Sequence, residues 1–277
     1  MPELPEVETV RLGLEQSLRG KRIVRVCLSG HDLRFPVPPD FAGTVQGKVL
    51  RSFVRRGKYI VGFLDDSHVL ILHLGMSGRV RLYGPGQNHE SEKHDHAVFE
   101  AEDRSLAVYH DPRRFGFLTY ALSKDWESLA FFSAMGPEPL SDLRADYLCG
   151  VLKNKKANIK TALLDQHVVA GLGNIYVCEA LYDACISPMR ASSSLSANEV
   201  KRLIVSIQKT LRKALEAGGS SLRDYKKTDG SLGYFQTQFS VYDREGERCP
   251  KCSCADGCVK RIVQAGRSTF YCPVIQV

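Results

Sequence analysis

The chain has 277 residues, enough for two cores, and its 43% hydrophobic and 25% charged residues are an ordinary globular composition. No apolar run approaches the ~20 residues of a membrane helix, and the acidic start (Glu3, Glu6, Glu8) lacks the hydrophobic centre of a secretion signal. These features predict a cytoplasmic protein with no membrane partner, whose nine cysteines are thiols or metal ligands rather than disulfides. The formal net charge of +7 permits a polyanionic partner. Basic clusters at Arg55-Arg56-Lys58, Arg113-Arg114, Lys153 to Lys160 and Lys260-Arg261-Arg267, several beside glycine turns, favour nucleic acid over simple solubility.

The first segment, Met1-Pro2-Glu3-Leu4-Pro5-Glu6-Val7-Glu8, reads as a helix start, with Pro5 in the first turn and acids favouring the helix dipole. The same residues allow chemistry. A small second residue permits removal of Met1, and the exposed Pro2 amine, titrating near pH ~8, can attack an electrophilic sugar carbon. Glu3 and Glu6 then lie within reach for proton transfer. Residues 22 to 122 read as strands of a β-sandwich or barrel, marked by the apolar runs Ile23–Val26, Tyr59–Phe63, Val69–Leu72 and Ala107–Tyr109. Met135 to Pro139 reads as the linker, and helical spacing follows from about 143. Ile159 to Gln166 and Ile175 to Tyr182 flank Gly171-Leu172-Gly173-Asn174, a turn whose amides open a helix and can receive a phosphate. The clearest helix starts at a Ser196/Glu199 capping box and ends at Gly218-Gly219. A polar loop follows, then a short strand region around Tyr234 to Tyr242, then five cysteines: Cys249, Cys252, Cys254, Cys258 and Cys272.

The opening octapeptide, Lys93-His94-Asp95-His96, His110 to Gly116, Gly173-Asn174-Ile175-Tyr176 with Glu179, and Gly266 to Cys272 resemble, in order, the formamidopyrimidine-DNA glycosylase (Fpg) family. The resemblance spans nearly the whole chain. It implies an α+β fold of two domains: an N-terminal β-sandwich with flanking helices over 1–132 and a linker at 133–142. A helix–two-turn–helix bundle over 143–240 and a β-hairpin zinc finger over 241–277 complete it. It also implies a bacterial, nucleoid-associated monomer that excises oxidised purines (8-oxoguanine, formamidopyrimidines) from double-stranded DNA and then cleaves the strand by β,δ-elimination.

By the same resemblance Pro2 is the nucleophile, Glu3 and Lys58 are catalytic, Glu6 supports them, and Arg267 grips a phosphate and assists the second elimination. His94, Arg113, Arg114, Lys160 and Asn174 are DNA contacts. Met76, Arg113 and Phe115 enter the duplex as the lesion rotates out, offsetting an unstacking cost of about a few kcal/mol. Ser221, Leu222, Arg223, Asp224 and Tyr225 form the lesion-reading loop. Ser77 stands where some members carry an acid, so a lesion contact from that position is not expected. One structural Zn2+ is implied, yet Ile275 occupies the place of the fourth cysteine, and isoleucine cannot bind metal. Cys254 or Cys258 supplying the missing sulfur, a three-sulfur site with water, and a metal-free hairpin all remain open, with a four-thiolate set including Cys249 and Cys272 favoured. A lesion-binding protein without catalysis and an enzyme preferring oxidised pyrimidines are the rival readings.

Overall fold

The computed structural model describes residues 2–220, 234–253 and 258–277, and the chain divides into two compact units. The first comprises residues up to Ser133 together with Ala217–Tyr234. Of that second stretch, residues 217–220 and Tyr234 are described.

In that unit α1 (Leu4–Leu18) precedes β1 (Ile23–Leu28), α2 (Phe41–Val45), β2 (Leu50–Arg56), β3 (Tyr59–Leu64) and β4 (His68–His73). β5 (Arg79–Tyr83), β6 (Asp95–Ala101), β7 (Leu106–His110), β8 (Phe117–Leu122) and α3 (Ala130–Ser133) complete it. The strands form two antiparallel four-stranded sheets, ordered β1-β6-β7-β5 and β2-β3-β4-β8. Leu50, Ile60 and Leu72 of one sheet line a common apolar cavity with Val80, Phe99 and Ala107 of the other, closed by Leu14 of α1. The sheets therefore face one another across the core as a sandwich. All four predicted apolar runs are strands, the buried ones matching a core position.

The second unit comprises Ala134–Glu216 and Phe235–Val277. It contains α4 (Ala145–Lys153), α5 (Ile159–Leu164), α6 (Asn174–Asp183), α7 (Ala197–Glu216) and the hairpin β9 (Lys260–Gln264) and β10 (Arg267–Tyr271). Ser196 Oγ accepts from Glu199 N at 3.3 Å while the Glu199 carboxylate accepts from Ser196 N at 2.8 Å, the capping box that starts α7. Every residue of α6 from Ile175 to Tyr182 is buried, so this helix is the unit's axis rather than an amphipathic cover. Ala265 and Gly266 both have positive φ (48° and 71°), the two-residue turn that suits a tight hairpin.

Two expectations are corrected. Residues 135–139 are docked onto the second unit: Gly136 N donates to Gln166 O at 2.8 Å, and Pro137 O and Pro139 O accept from Ala170 N and Gln208 Nε2. The region from Tyr234 to Tyr242 is not a strand. After an isolated bridge at Tyr234 it makes a 3-10 turn (Phe235–Gln238), and the N–H groups of Ser240, Val241 and Tyr242 all donate to the buried Glu179 carboxylate at 2.8–2.9 Å. Those donors are consumed by α6 and have no ladder to join.

Candidate active site

The N-terminus is built around two buried carboxylates. Glu3 is the N-cap of α1 and forms a reciprocal capping box with Glu6, whose Oε2 accepts from Glu3 N at 2.9 Å. Glu6 Oε1 accepts from both Ser220 N (2.7 Å) and Ser220 Oγ (3.0 Å). Glu6 is thus a clamp that fixes the first turn, with buried Pro2 before it, to Ser220. Gly219 serves the clamp: its φ is +81°, and a Cβ there would lie 3.0 Å from Glu6 Oε1. Glu6→Ala leaves three donors without their acceptor and is expected to cost about 3 kcal/mol of stability, measured by denaturant unfolding. A loss under about 0.5 kcal/mol would show that the clamp is not a structural element.

Lys58 lies in the turn between β2 and β3, after Gly57 at φ +56°, and is buried. Arg55, three residues earlier, donates from Nε to Glu8 at 3.2 Å, and Arg11 of α1 donates to Phe53 O, so this turn sits against the start of α1. The register pairs Tyr59 with His73, whose rings lie 4.7 Å apart. Burial, then the charges of Lys58 and Arg34, hold the His73 pKa down from 6.5 to about 4. The unfolded chain binds this proton near pH 6.5 and the folded chain only near 4, so stability rises with pH across that window. Acidification from pH 6.5 to 4 should therefore remove up to about 3 kcal/mol through this group. His73→Phe, which keeps the stack on Phe117, should flatten that part of the curve; an unchanged slope would assign it to other groups.

The segments 73–78 and 110–116 are interlocked by Asp111, which is fully buried. It accepts from Ser77 Oγ (2.6 Å), Gly116 N (2.9 Å) and Tyr109 OH (3.2 Å). A Cβ on Gly75 would lie 2.3 Å from Gly116 N, and one on Gly116 would lie 1.9 Å from Tyr109 OH, so only glycine allows this approach. From the rigid base, Met76 (37% exposed) and Phe115 (45%) stand in solvent, with the Arg113 guanidinium 4.7 Å from the Phe115 ring centroid. Two large apolar side chains exposed on a braced turn lie outside the core. Arg114 is exposed and holds φ +56°. His94 O accepts from Asp111 N at 3.0 Å, which brings the Lys93–His96 segment to the same corner. His96 is buried, bonded to Ser29 Oγ and Asp111 O, and is structural.

In the second unit, Asn174 Nδ2 and Lys160 Nζ both donate to Ser268 O, at 2.8 and 3.4 Å. Lys160 is fully buried on α5, with its amine directed to the hairpin carbonyl. Arg267, next to Ser268 on β10, is exposed. Ser221 to Tyr225 and Cys254 lie outside the described residues.

The sulfurs of Cys249, Cys252, Cys258 and Cys272 converge within 4.8 Å of one another, with Cys252–Cys258 at 3.5 Å and Cys252–Cys272 at 3.9 Å. Four sulfurs at ~2.3 Å from a tetrahedral ion lie about 3.8 Å apart, so this set fits one metal. Ile275 packs against the cluster as an apolar wall. Tyr182 OH lies 3.0 Å from Cys249 Sγ. Burial raises the Cys249 pKa, but the Tyr182 hydroxyl and the N–H groups of Lys251 and Cys252 outweigh it and leave it lowered, while burial and the neighbouring Cys249 raise that of Cys272. Cys252 is disulfide-bonded in the structure, which corrects the expectation of thiols or metal ligands alone, and a fourth thiolate there requires its reduction. Asp111, Glu179 and Tyr182, none assigned from sequence, organise these centres; each acts through partners remote in the chain.

Residues 1–118 match the family model for the formamidopyrimidine-DNA glycosylase N-terminal domain, and residues 135–226 match that for the formamidopyrimidine-DNA glycosylase H2TH domain. Formamidopyrimidine-DNA glycosylases of Afipia carboxidovorans and Dinoroseobacter shibae are 49% and 48% identical, each alignment covering 100% of both chains. Among solved structures, the MutM (Fpg) protein of Thermus thermophilus is similar at a TM-score of 0.87 and 38% identity, covering 99% of this chain and 98% of that one. A Lactococcus lactis Fpg in complex with an abasic site containing DNA is similar at 0.89 and 35%, covering 99% of each.

Proposed function

The chain belongs to the formamidopyrimidine-DNA glycosylase family, matched from end to end, and on that premise we propose that it excises oxidised purines through the Pro2 amine. It is a DNA glycosylase with AP lyase activity in base excision repair. The observation that carries the proposed chemistry is the buried Pro2-Glu3-Glu6 first turn, clamped through Ser220 to the stretch where the lesion loop begins.

The amine attacks C1′ of the damaged nucleotide, the N-glycosidic bond breaks, and the base leaves after protonation. The resulting iminium loses the 3′ and then the 5′ phosphate by successive eliminations, which leaves a one-nucleotide gap. Glu3 is the group placed to exchange protons with the opening sugar, and Lys58 steadies the phosphate beside it. Met76 and Phe115, braced on Asp111, occupy the helix vacated by the flipped nucleotide, and Arg113 meets the orphaned cytosine. His94, Arg114, Asn174 and Arg267 hold phosphates, and the protein acts as a monomer on duplex DNA in the cytoplasm. Zn2+ would be held by Cys249, Cys252, Cys258 and Cys272, where it supplies a cross-link for the hairpin that carries Arg267.

The test is excision from duplexes carrying 8-oxoguanine opposite cytosine against duplexes carrying thymine glycol. Faster release of 8-oxoguanine, with a gapped product, supports the reading. Preference for thymine glycol would move the enzyme to the pyrimidine branch. Tight lesion binding without product would leave a binding protein.

A further inference from the structure

A stiff stretch of chain between β1 and α2 presents an arginine beside the turn that carries Phe115. Leu33 is buried and anchors the stretch, while Arg34 and Phe35 (52% exposed) stand in solvent. Pro36, Pro38 and Pro39 follow and fix φ at each of their positions, and they restrict Phe35 and Val37 before them. Arg34 N donates to Gly116 O at 3.0 Å, which ties the stretch to the turn of Arg113 and Phe115. The Phe35 ring meets Phe117 edge-on at 5.3 Å, and Phe117 stacks on His73 at 5.5 Å. His73 in turn lies 4.7 Å from Tyr59, the residue after Lys58. Arg34 and the Lys58 turn are therefore braced on one row of rings.

The Arg34 guanidinium lies 5.6 Å from the centroid of its own Phe35 ring, and among the described residues no carboxylate pairs with it. Exposed Arg25, by contrast, is held to Glu100 at 2.8 Å. The charge of Arg34 reaches the ring row. Burial is the main cause of the low His73 pKa, and the charges of Lys58 and Arg34 both add to it. Arg34 also offsets part of the rise that burial gives Tyr59. Two cations thus converge on one neutral imidazole.

We propose that Arg34 binds a backbone phosphate of the duplex next to the one that Lys58 steadies, so that two cations on one ring row hold neighbouring phosphates. The inference rests on the DNA reading above. A cation over an exposed ring is weakly held, whereas a phosphate accepts two parallel guanidinium N–H bonds. Arg34 is bonded to Gly116, so it reaches the duplex together with Phe115. A base edge is the poorer target, because Met76, Arg113 and Phe115 already fill the opened step. The prolines and Leu33 hold the backbone beforehand, so little freedom is lost on binding.

The test measures affinity of the full chain for an 8-oxoguanine duplex across a salt series. Arg34→Gln, at an exposed position where folding is safe, should weaken binding by about 10-fold near about 0.1 M salt. It should also flatten the slope of log affinity against log salt by about 1, the share of one phosphate. Arg34→Lys keeps the charge and should keep most of the slope. Arg25→Gln removes an exposed arginine that is already paired and should match the parent. Single-turnover excision by saturating Arg34→Gln should equal that of the parent, because Arg34 touches no reacting atom. A parent-like slope in Arg34→Gln, or excision lost at saturation, overturns the inference and leaves the DNA reading standing. A parent chain with no salt-dependent binding to the duplex defeats both.

Discussion

Replacing Pro2 by glutamate is expected to abolish borohydride trapping on an 8-oxoguanine duplex and to lower base excision by about 10^3-fold or more, the scale of losing a covalent nucleophile. The bulky second residue retains Met1, so the reactive nitrogen becomes an amide and no longer has a lone pair to give. The parent chain forms an iminium with C1′, and hydride reduces it to a stable amine that moves with the DNA on a gel. The uncharged amine is the form that attacks. Intact mass must show Met1 absent in the parent and present in the variant. DNA affinity should change little, because phosphates are held elsewhere, and this separates lost chemistry from lost folding. A parent chain with Pro2 free that binds the lesion duplex but yields no adduct would refute the amine mechanism.

What was legible in the sequence was local. The first turn carries its own capping residues and its own nucleophile, so eight consecutive residues are enough to recognise it. The strands Tyr59–Phe63 and Val69–Leu72 show as apolar runs because their residues are buried. β2 (Leu50–Arg56) and β5 (Arg79–Tyr83) were less visible because arginines interleave with their apolar positions. The misreadings share one cause, a partner far along the chain. The 240–242 backbone is diverted by Glu179, some sixty residues earlier, and nothing in its own composition announces that. The burial of Lys160 is equally silent in its lysine-rich stretch, since its amine donates to Ser268 O, 108 residues away. Asp111 makes sense only once Ser77, Tyr109 and Gly116 are seen around it.

The cysteines carry the same lesson to a sharper test. Spacing left Cys254 and Cys258 equal as replacements for the sulfur missing at Ile275. Folding brings Cys258 to the group, with Cys249 N donating to its Sγ at 2.9 Å, and sets Ile275 against the cluster as packing. Cys258→Ser is therefore expected to weaken zinc by more than about 100-fold and to reduce the content of the reduced, purified chain from one equivalent to a small fraction. Structural zinc contributes directly to folding of a small hairpin, so Arg267 should lose its fixed position and binding to duplex DNA should fall with the metal. Cys254→Ser should leave both intact. Adding Ile275→Cys to Cys258→Ser should restore zinc, because the new thiol grows from a side chain already against the other three. Rescue would establish that the ligand has moved along the chain while the tetrahedron stayed in place. If Cys258→Ser retains a full equivalent that resists chelators as the parent does, the four-sulfur set is wrong and the finger holds its metal, or its shape, by other means.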